Sequence, residues 1–154
     1  MSAAVDRTPS PLDTRGAAEH AERMSAFQTT HAFSGFSVDD IDAARSFYGD
    51  VLGLRVETNE MGFLDIRLDD GGSILVYAKP HHTPASFTIL NFPVDDIDAA
   101  VDDLNGRGVE TKIYDDSEFD TDPKGIMRGG PGRGPDIAWF RDPAGNVLAV
   151  MSAA

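Results

Sequence analysis

The sequence predicts an α+β fold assembled from two βαβββ modules. The first observation behind this is a repeated phrase. Phe36-Ser37-Val38-Asp39-Asp40-Ile41-Asp42-Ala43-Ala44 returns as Phe92-Pro93-Val94-Asp95-Asp96-Ile97-Asp98-Ala99-Ala100. A repeat of this kind points to one structural unit used twice. The second observation is a turn-like segment, Asp69-Asp70-Gly71-Gly72-Ser73, echoed by Asp142-Pro143-Ala144-Gly145-Asn146 at a wider spacing. The second copy therefore carries about 17 additional residues, and the Gly-, Pro- and Asp-rich stretch 115–134 accommodates them. The third observation is the alternation of period-2 and helical apolar spacing in the same order in both halves.

In the first module Thr30 to Val38 reads as a strand. Asp40 suits a helix N-cap, and Asp42 in the first turn is favoured by the helix dipole. Ile41, Ala44, Phe47, Tyr48, Val51 and Leu52 follow at helical spacing until Gly53. Leu54–Glu60, Phe63–Leu68 and Ser73–Lys79 then form a three-stranded meander with turns at Met61-Gly62 and Asp70-Gly71-Gly72. The second module repeats this order. Ser86–Val94 is a strand, and Asp96 caps a helix whose apolar face is Ile97, Ala100, Val101 and Leu104, closed by Gly106 and Gly108. Strands follow at Val109–Tyr114, Asp136–Arg141 and Asn146–Ser152. The Asp-Asp-Ile-Asp clusters invite a carboxylate metal site, but both precede an apolar helix face, so helix capping is the stronger reading.

A chain of 154 residues is long enough for one domain with a real core. The expected domain is 24–154, with modules at about 30–79 and 85–152. Residues 1–23 are polar and read as a disordered extension, or as an upstream start unused in vivo. Cysteine is absent, which excludes disulfides and thiolate-bound metals. No apolar run approaches a membrane span and no signal-peptide core is present, so a cytoplasmic protein with no membrane partner is expected. A net charge of −13 disfavours nucleic acid and would attract a cation, although an acidic surface also serves solubility.

The two modules, the helix carrying Phe47-Tyr48 and Val51-Leu52-Gly53-Leu54, and the ending Phe140-Arg141-Asp142-Pro143-Ala144-Gly145-Asn146 together resemble the vicinal oxygen chelate superfamily, which includes glyoxalase I, extradiol dioxygenases and bleomycin-resistance proteins. The resemblance spans about residues 30–152. It implies a mixed sheet curled into a cup, with helices on the outer face and a ligand in the cup. It also implies four metal-ligand positions, which fall here on Phe33, Ile89, Ala149 and either Val76 or, with a register shift of one, Leu75. None offers an oxygen, imidazole or thiolate donor, so no metal and no other cofactor is expected. Four histidines do not replace them. His20 lies in the leader, His81 and His82 lie in the linker, and His31 at the head of the first strand reads as a surface residue, with the cup mouth as the alternative position.

Strand alternation from those positions sorts the cup. Phe33, Gly35 and Ser37 face inward, as do Phe63, Asp65 and Arg67. So do Ile74, Val76 and Ala78, then Phe87, Ile89 and Asn91, then Ile137 and Trp139, and finally Val147, Ala149 and Met151. Thr88, Leu90 and Phe92 are assigned to the core. Apolar walls with sparse polar groups are the anatomy of a small-molecule site, and Phe33 and Trp139 suit a flat ligand or a cation. Asp65 is a weak candidate for a general base, with a pairing to Arg67 as the structural alternative. The loop 115–134 is expected to be a lid carrying Phe119 and Met127. Its run Gly129-Gly130-Pro131-Gly132-Arg133-Gly134 lacks the Lys-Ser/Thr pair of a phosphate loop. The expected function is a homodimeric protein that sequesters a hydrophobic or cationic small molecule. The alternatives are an enzyme with a rearranged site and a dimeric interaction module whose cup is filled by its own side chains.

Overall fold

A computed structural model describes residues 26–153 of the chain, so the expectation for residues 1–23 lies outside the described residues. The chain divides at Phe33. Residues 26–32 form no helix or strand and are exposed, which corrects the expected start of the first strand from Thr30 to Ser34. His31 accordingly lies outside any strand, its backbone N–H donating to Thr29 Oγ1 at 3.3 Å.

From Ser34 onward the order is βαβββ twice. The first module comprises β1 (Ser34–Val38), α1 (Ile41–Arg45) with a π-helical continuation Ser46–Val51, β2 (Arg55–Thr58), β3 (Leu64–Arg67) and β4 (Ser73–Ala78). The second comprises β5 (Thr88–Val94), α2 (Ile97–Gly106), β6 (Ile126–Met127), β7 (Ile137–Arg141) and β8 (Val147–Ser152). Each forms its own four-stranded mixed sheet, ordered β1-β4-β3-β2 and β5-β8-β7-β6. The first and last strands of each module pair in parallel, and the others pair antiparallel. The fold is α+β, and the duplication seen in the sequence is a duplication of topology.

The repeated acidic phrase caps both helices. Asp40 Oδ1 accepts from the backbone N–H groups of Asp42 and Ala43, and Asp96 Oδ1 accepts from that of Ala99. Both caps have extended backbone, so each aspartate satisfies donors the first turn would otherwise leave open. The first helix differs from its expected regular form. Beyond Arg45 its turns widen, and the Leu52 N–H reaches back to the Phe47 carbonyl at 2.9 Å. The adjacent Phe47 and Tyr48 both point inward, their rings edge to face at 5.1 Å. Gly53 then leaves the helix at φ +74°, a conformation that costs glycine little.

One apolar core serves both modules. Val38, Phe47, Tyr48, Leu64, Ile66 and Val76 of the first pack with Val101, Ile126, Ala138, Phe140, Leu148 and Val150 of the second. Each fully buried aliphatic or aromatic side chain contributes about 1.5–3 kcal/mol. Polar bonds cross the same junction. The Tyr48 hydroxyl donates to Asp142 Oδ2 at 2.7 Å, and Asn146 Nδ2 donates both to that oxygen and to the Ser37 carbonyl. Burial, and then the adjacent Asp142 carboxylate, push the Tyr48 hydroxyl far above its ordinary pKa.

The expected strand at Val109–Tyr114 is absent, and β6 arises instead from Ile126–Met127 within the predicted loop. The Thr111 hydroxyl holds the displaced segment against Lys124 O at 2.6 Å. Gly125, at φ +90°, permits this approach, since a Cβ there would lie 2.1 Å from the Thr111 carbonyl oxygen.

Candidate functional site

The two sheets present equivalent rows of residues on the faces turned away from the shared core. In the first sheet, register aligns Gly35, Leu75, Asp65 and Glu57. In the second it aligns Asn91, Ala149 and Trp139. Leu75 is therefore the counterpart of Ala149. The assignment of Ile74 and Val76 to the cup is corrected here, because both are buried in the core opposite Ile66 and Leu64. Both faces of β4 are apolar, so composition alone did not choose between registers, whereas the pairing with β3 does.

On the first face the Phe63 and Tyr77 rings meet at 6.3 Å, and Asp65 is half-buried between its cross-strand neighbours Leu75 and Glu57. Arg67 does not pair with Asp65. Its Nε donates to Glu57 Oε2 at 3.0 Å, and this hydrogen bond holds the Glu57 carboxyl below the usual carboxylate range. Phe33, just ahead of β1, and Phe87, just ahead of β5, are both largely exposed.

The second face is covered. Trp139, Val147 and Ala149 form a buried cluster with Ile113, Tyr114, Met127 and Ile137. Phe119 stacks on Trp139 with ring centroids 4.8 Å apart and planes 26° apart, and Tyr114 meets both rings edge to face. The Arg141 guanidinium sits 6.0 Å from the Tyr114 ring centre. The Trp139 indole N–H donates to Thr88 Oγ1 at 3.1 Å.

Thr88 thus stands on the Trp139 face and not in the core, a correction that follows from a bulge. Thr88 pairs with Val147 and Leu90 pairs with Leu148, so Ile89 is the extra residue and the faces change over at it. Leu90 and Phe92 remain on the core side. Sequence alternation also missed Tyr114, Tyr77 and Arg141. A signal for Thr88 was present, since a buried indole N–H requires an acceptor.

Met151 lines a hollow of about 520 Å³ with Pro93 and Pro135, and Met127 lines one of about 340 Å³ with Asp120 and Arg128. A third, of about 350 Å³, lies between Phe47, Val51, Arg107 and Arg141. None of these three is lined by Asp65, Leu75, Asn91 or Trp139. His82 is structural. Its Nδ1 lies 2.7 Å from Ser37 Oγ and its Nε2 lies 3.1 Å from the Ala144 carbonyl.

Phe33, Leu75, Ile89 and Ala149 carry no donor atom for a metal. Among the described residues no group of three or more His, Asp or Glu side chains is placed to hold an ion. A divalent metal does not fit this set. Among the described residues, no helix is long and apolar enough to cross a membrane.

The solved structures with similar folds span nearly their full length. A member of the glyoxalase/bleomycin resistance protein/dioxygenase superfamily from Sphaerobacter thermophilus DSM 20745 superposes with a TM-score of 0.62 at 22% identity, covering 82% of this chain and 98% of that one. TnmS3, an antibiotic binding protein from Streptomyces sp. CB03234, gives 0.55 at 23% identity, covering 82% and 99%. The glyoxalase family protein from Enterococcus faecalis gives 0.52 at 21%, covering 81% and 97%. At these identities the likeness is one of fold. No curated protein matches the chain at a meaningful level. Residues 27–150 match the family itself, and with the paired βαβββ modules this shows that the chain belongs to the Glyoxalase/Bleomycin resistance protein/Dioxygenase superfamily.

Proposed function

We propose that this protein is a metal-independent small-molecule binding protein that works as a homodimer in the cytoplasm. The observation that carries the reading is the row Asn91, Ala149 and Trp139 with its counterpart Gly35, Leu75 and Asp65. These are apolar and aromatic surfaces with one or two polar groups, and donors are missing at every position where metal-using relatives would need them. Phe33, Phe63 and Arg67 of the first face and Phe87, Ile89 and Met151 of the second are assigned to the rim of the site, with Phe119 and Met127 as its lid. TnmS3, similar in fold, is described as antibiotic binding, which supports a sequestering role over a catalytic one.

The unequal cover of the two faces supports the homodimer. The Trp139 cluster contains no residue of the first sheet, whose Phe63 and Tyr77 remain half-exposed. A partner face supplies the second wall of a cup. Isothermal titration of the purified protein against neutral aromatic and cationic aromatic compounds tests the reading, with metal analysis and sedimentation on the same sample. Micromolar binding by a metal-free dimer is expected. Stoichiometric metal, or no binder below millimolar, defeats it.

A further inference from the structure

We infer that Phe119 is an internal competitor for the ligand, and that the ring it displaces from Trp139 is flat, aromatic and uncharged. This rests on the binding role proposed above and names the ligand class for the same site. The Trp139 indole N–H is already satisfied by Thr88, so only the ring face is left for recognition. That face is taken by Phe119 in the offset arrangement two free aromatic molecules adopt, and Tyr114 closes the edge at 80° to the indole. Trp139 is consequently only 8% exposed.

Phe119 is not anchored as a core residue is. It is 39% exposed and is flanked by the exposed Ser117, Glu118 and Asp120. Its segment is a short turn in which Asp115 accepts from the backbone of Ser117, Glu118 and Phe119. This turn can swing as a unit without breaking a strand pairing. A cation finds no free ring beside Trp139, because Arg141 already stands over the Tyr114 face, and the carboxylates of Asp115, Asp116, Glu118 and Asp120 on the same turn are exposed and screened by solvent. A ligand ring therefore replaces a ring, and its affinity is reduced by the contact it must break.

The test compares wild type, Phe119→Ala and Phe119→Leu, each confirmed folded by circular dichroism, by titration with 2-naphthol and with the cation N-methylquinolinium. Leucine keeps the apolar bulk and removes the ring, so it guards against a loop that fails to form. Both variants are expected to bind 2-naphthol about three- to tenfold more tightly than wild type, and to prefer it to the cation. Equal or weaker binding by the variants overturns the competitor role while leaving the binding function intact. A preference for the cation overturns the ligand class. Absence of 2-naphthol binding in all three proteins overturns the inference, and the reading beneath it falls only if no compound of the wider neutral and cationic panel binds.

Discussion

The Trp139 indole N–H and the Thr88 hydroxyl oxygen are 3.1 Å apart, and they are neighbours only because β5 bulges at Ile89. The bond fixes the plane in which the indole lies and so the face it offers to Phe119. Thr88→Val keeps the shape and leaves the indole donor without a partner. A loss of about 1–3 kcal/mol is expected in chemical denaturation, together with a shifted near-ultraviolet dichroism band of this single tryptophan.

The register of β4 makes a contrasting pair. Val76 is fully buried in the core, whereas Leu75 beside it lies on the face turned away from the core, opposite Asp65. Val76→Asp buries an unpaired charge and is expected to abolish cooperative folding. Leu75→Asp is expected to fold with a cost below about 2 kcal/mol, since that face is partly wetted. Reversal of the order in thermal melts would show that the strand is paired one residue out.

Tyr48 predicts an alkaline limb. Its folded-state pKa is raised by burial and by Asp142, above the ordinary 10.0. A raised folded value means the stabilisation is complete below pH 10 and is lost as pH rises, because the unfolded chain releases the proton first. Stability measured from pH 8 to 11 is expected to fall above pH 10. Tyr48→Phe is expected to lose about 1–3 kcal/mol at neutral pH and to flatten that fall by one proton.

The two caps make a matched pair. Asp40→Ala and Asp96→Ala are each expected to cost about 1 kcal/mol in urea denaturation, with neither altering metal content or ligand affinity. A change in bound metal on either substitution would return the acidic phrase to the status of a metal site.

Much of the fold was legible because the sequence states it twice. The repeat fixed both caps, both helices and the module order, and period-2 alternation placed Trp139, Phe140, Leu64 and Ile66 on their correct faces. The rest depended on interactions between distant residues. The absent strand at Val109–Tyr114 follows from the Thr111 bond to Lys124, a contact with no periodic signature. The changed face of Thr88 follows from an extra residue that only pairing reveals. The π-helical turns after Arg45 keep the same apolar residues inward as an α-helix would, so spacing could not distinguish them. The stacking of Phe119 on Trp139 was invisible because an isolated aromatic residue in a long loop carries no directional information.

Ser37 holds both the linker and the second module. Its hydroxyl meets His82 and its carbonyl accepts from Asn146, while the other nitrogen of the same imidazole reaches the Ala144 carbonyl. Exchange of modules between two chains begins with the linker straightening, and here the linker is stitched at both ends of one imidazole ring. Straightening the linker would break both imidazole contacts, so the closed linker favours keeping the two modules of one chain together.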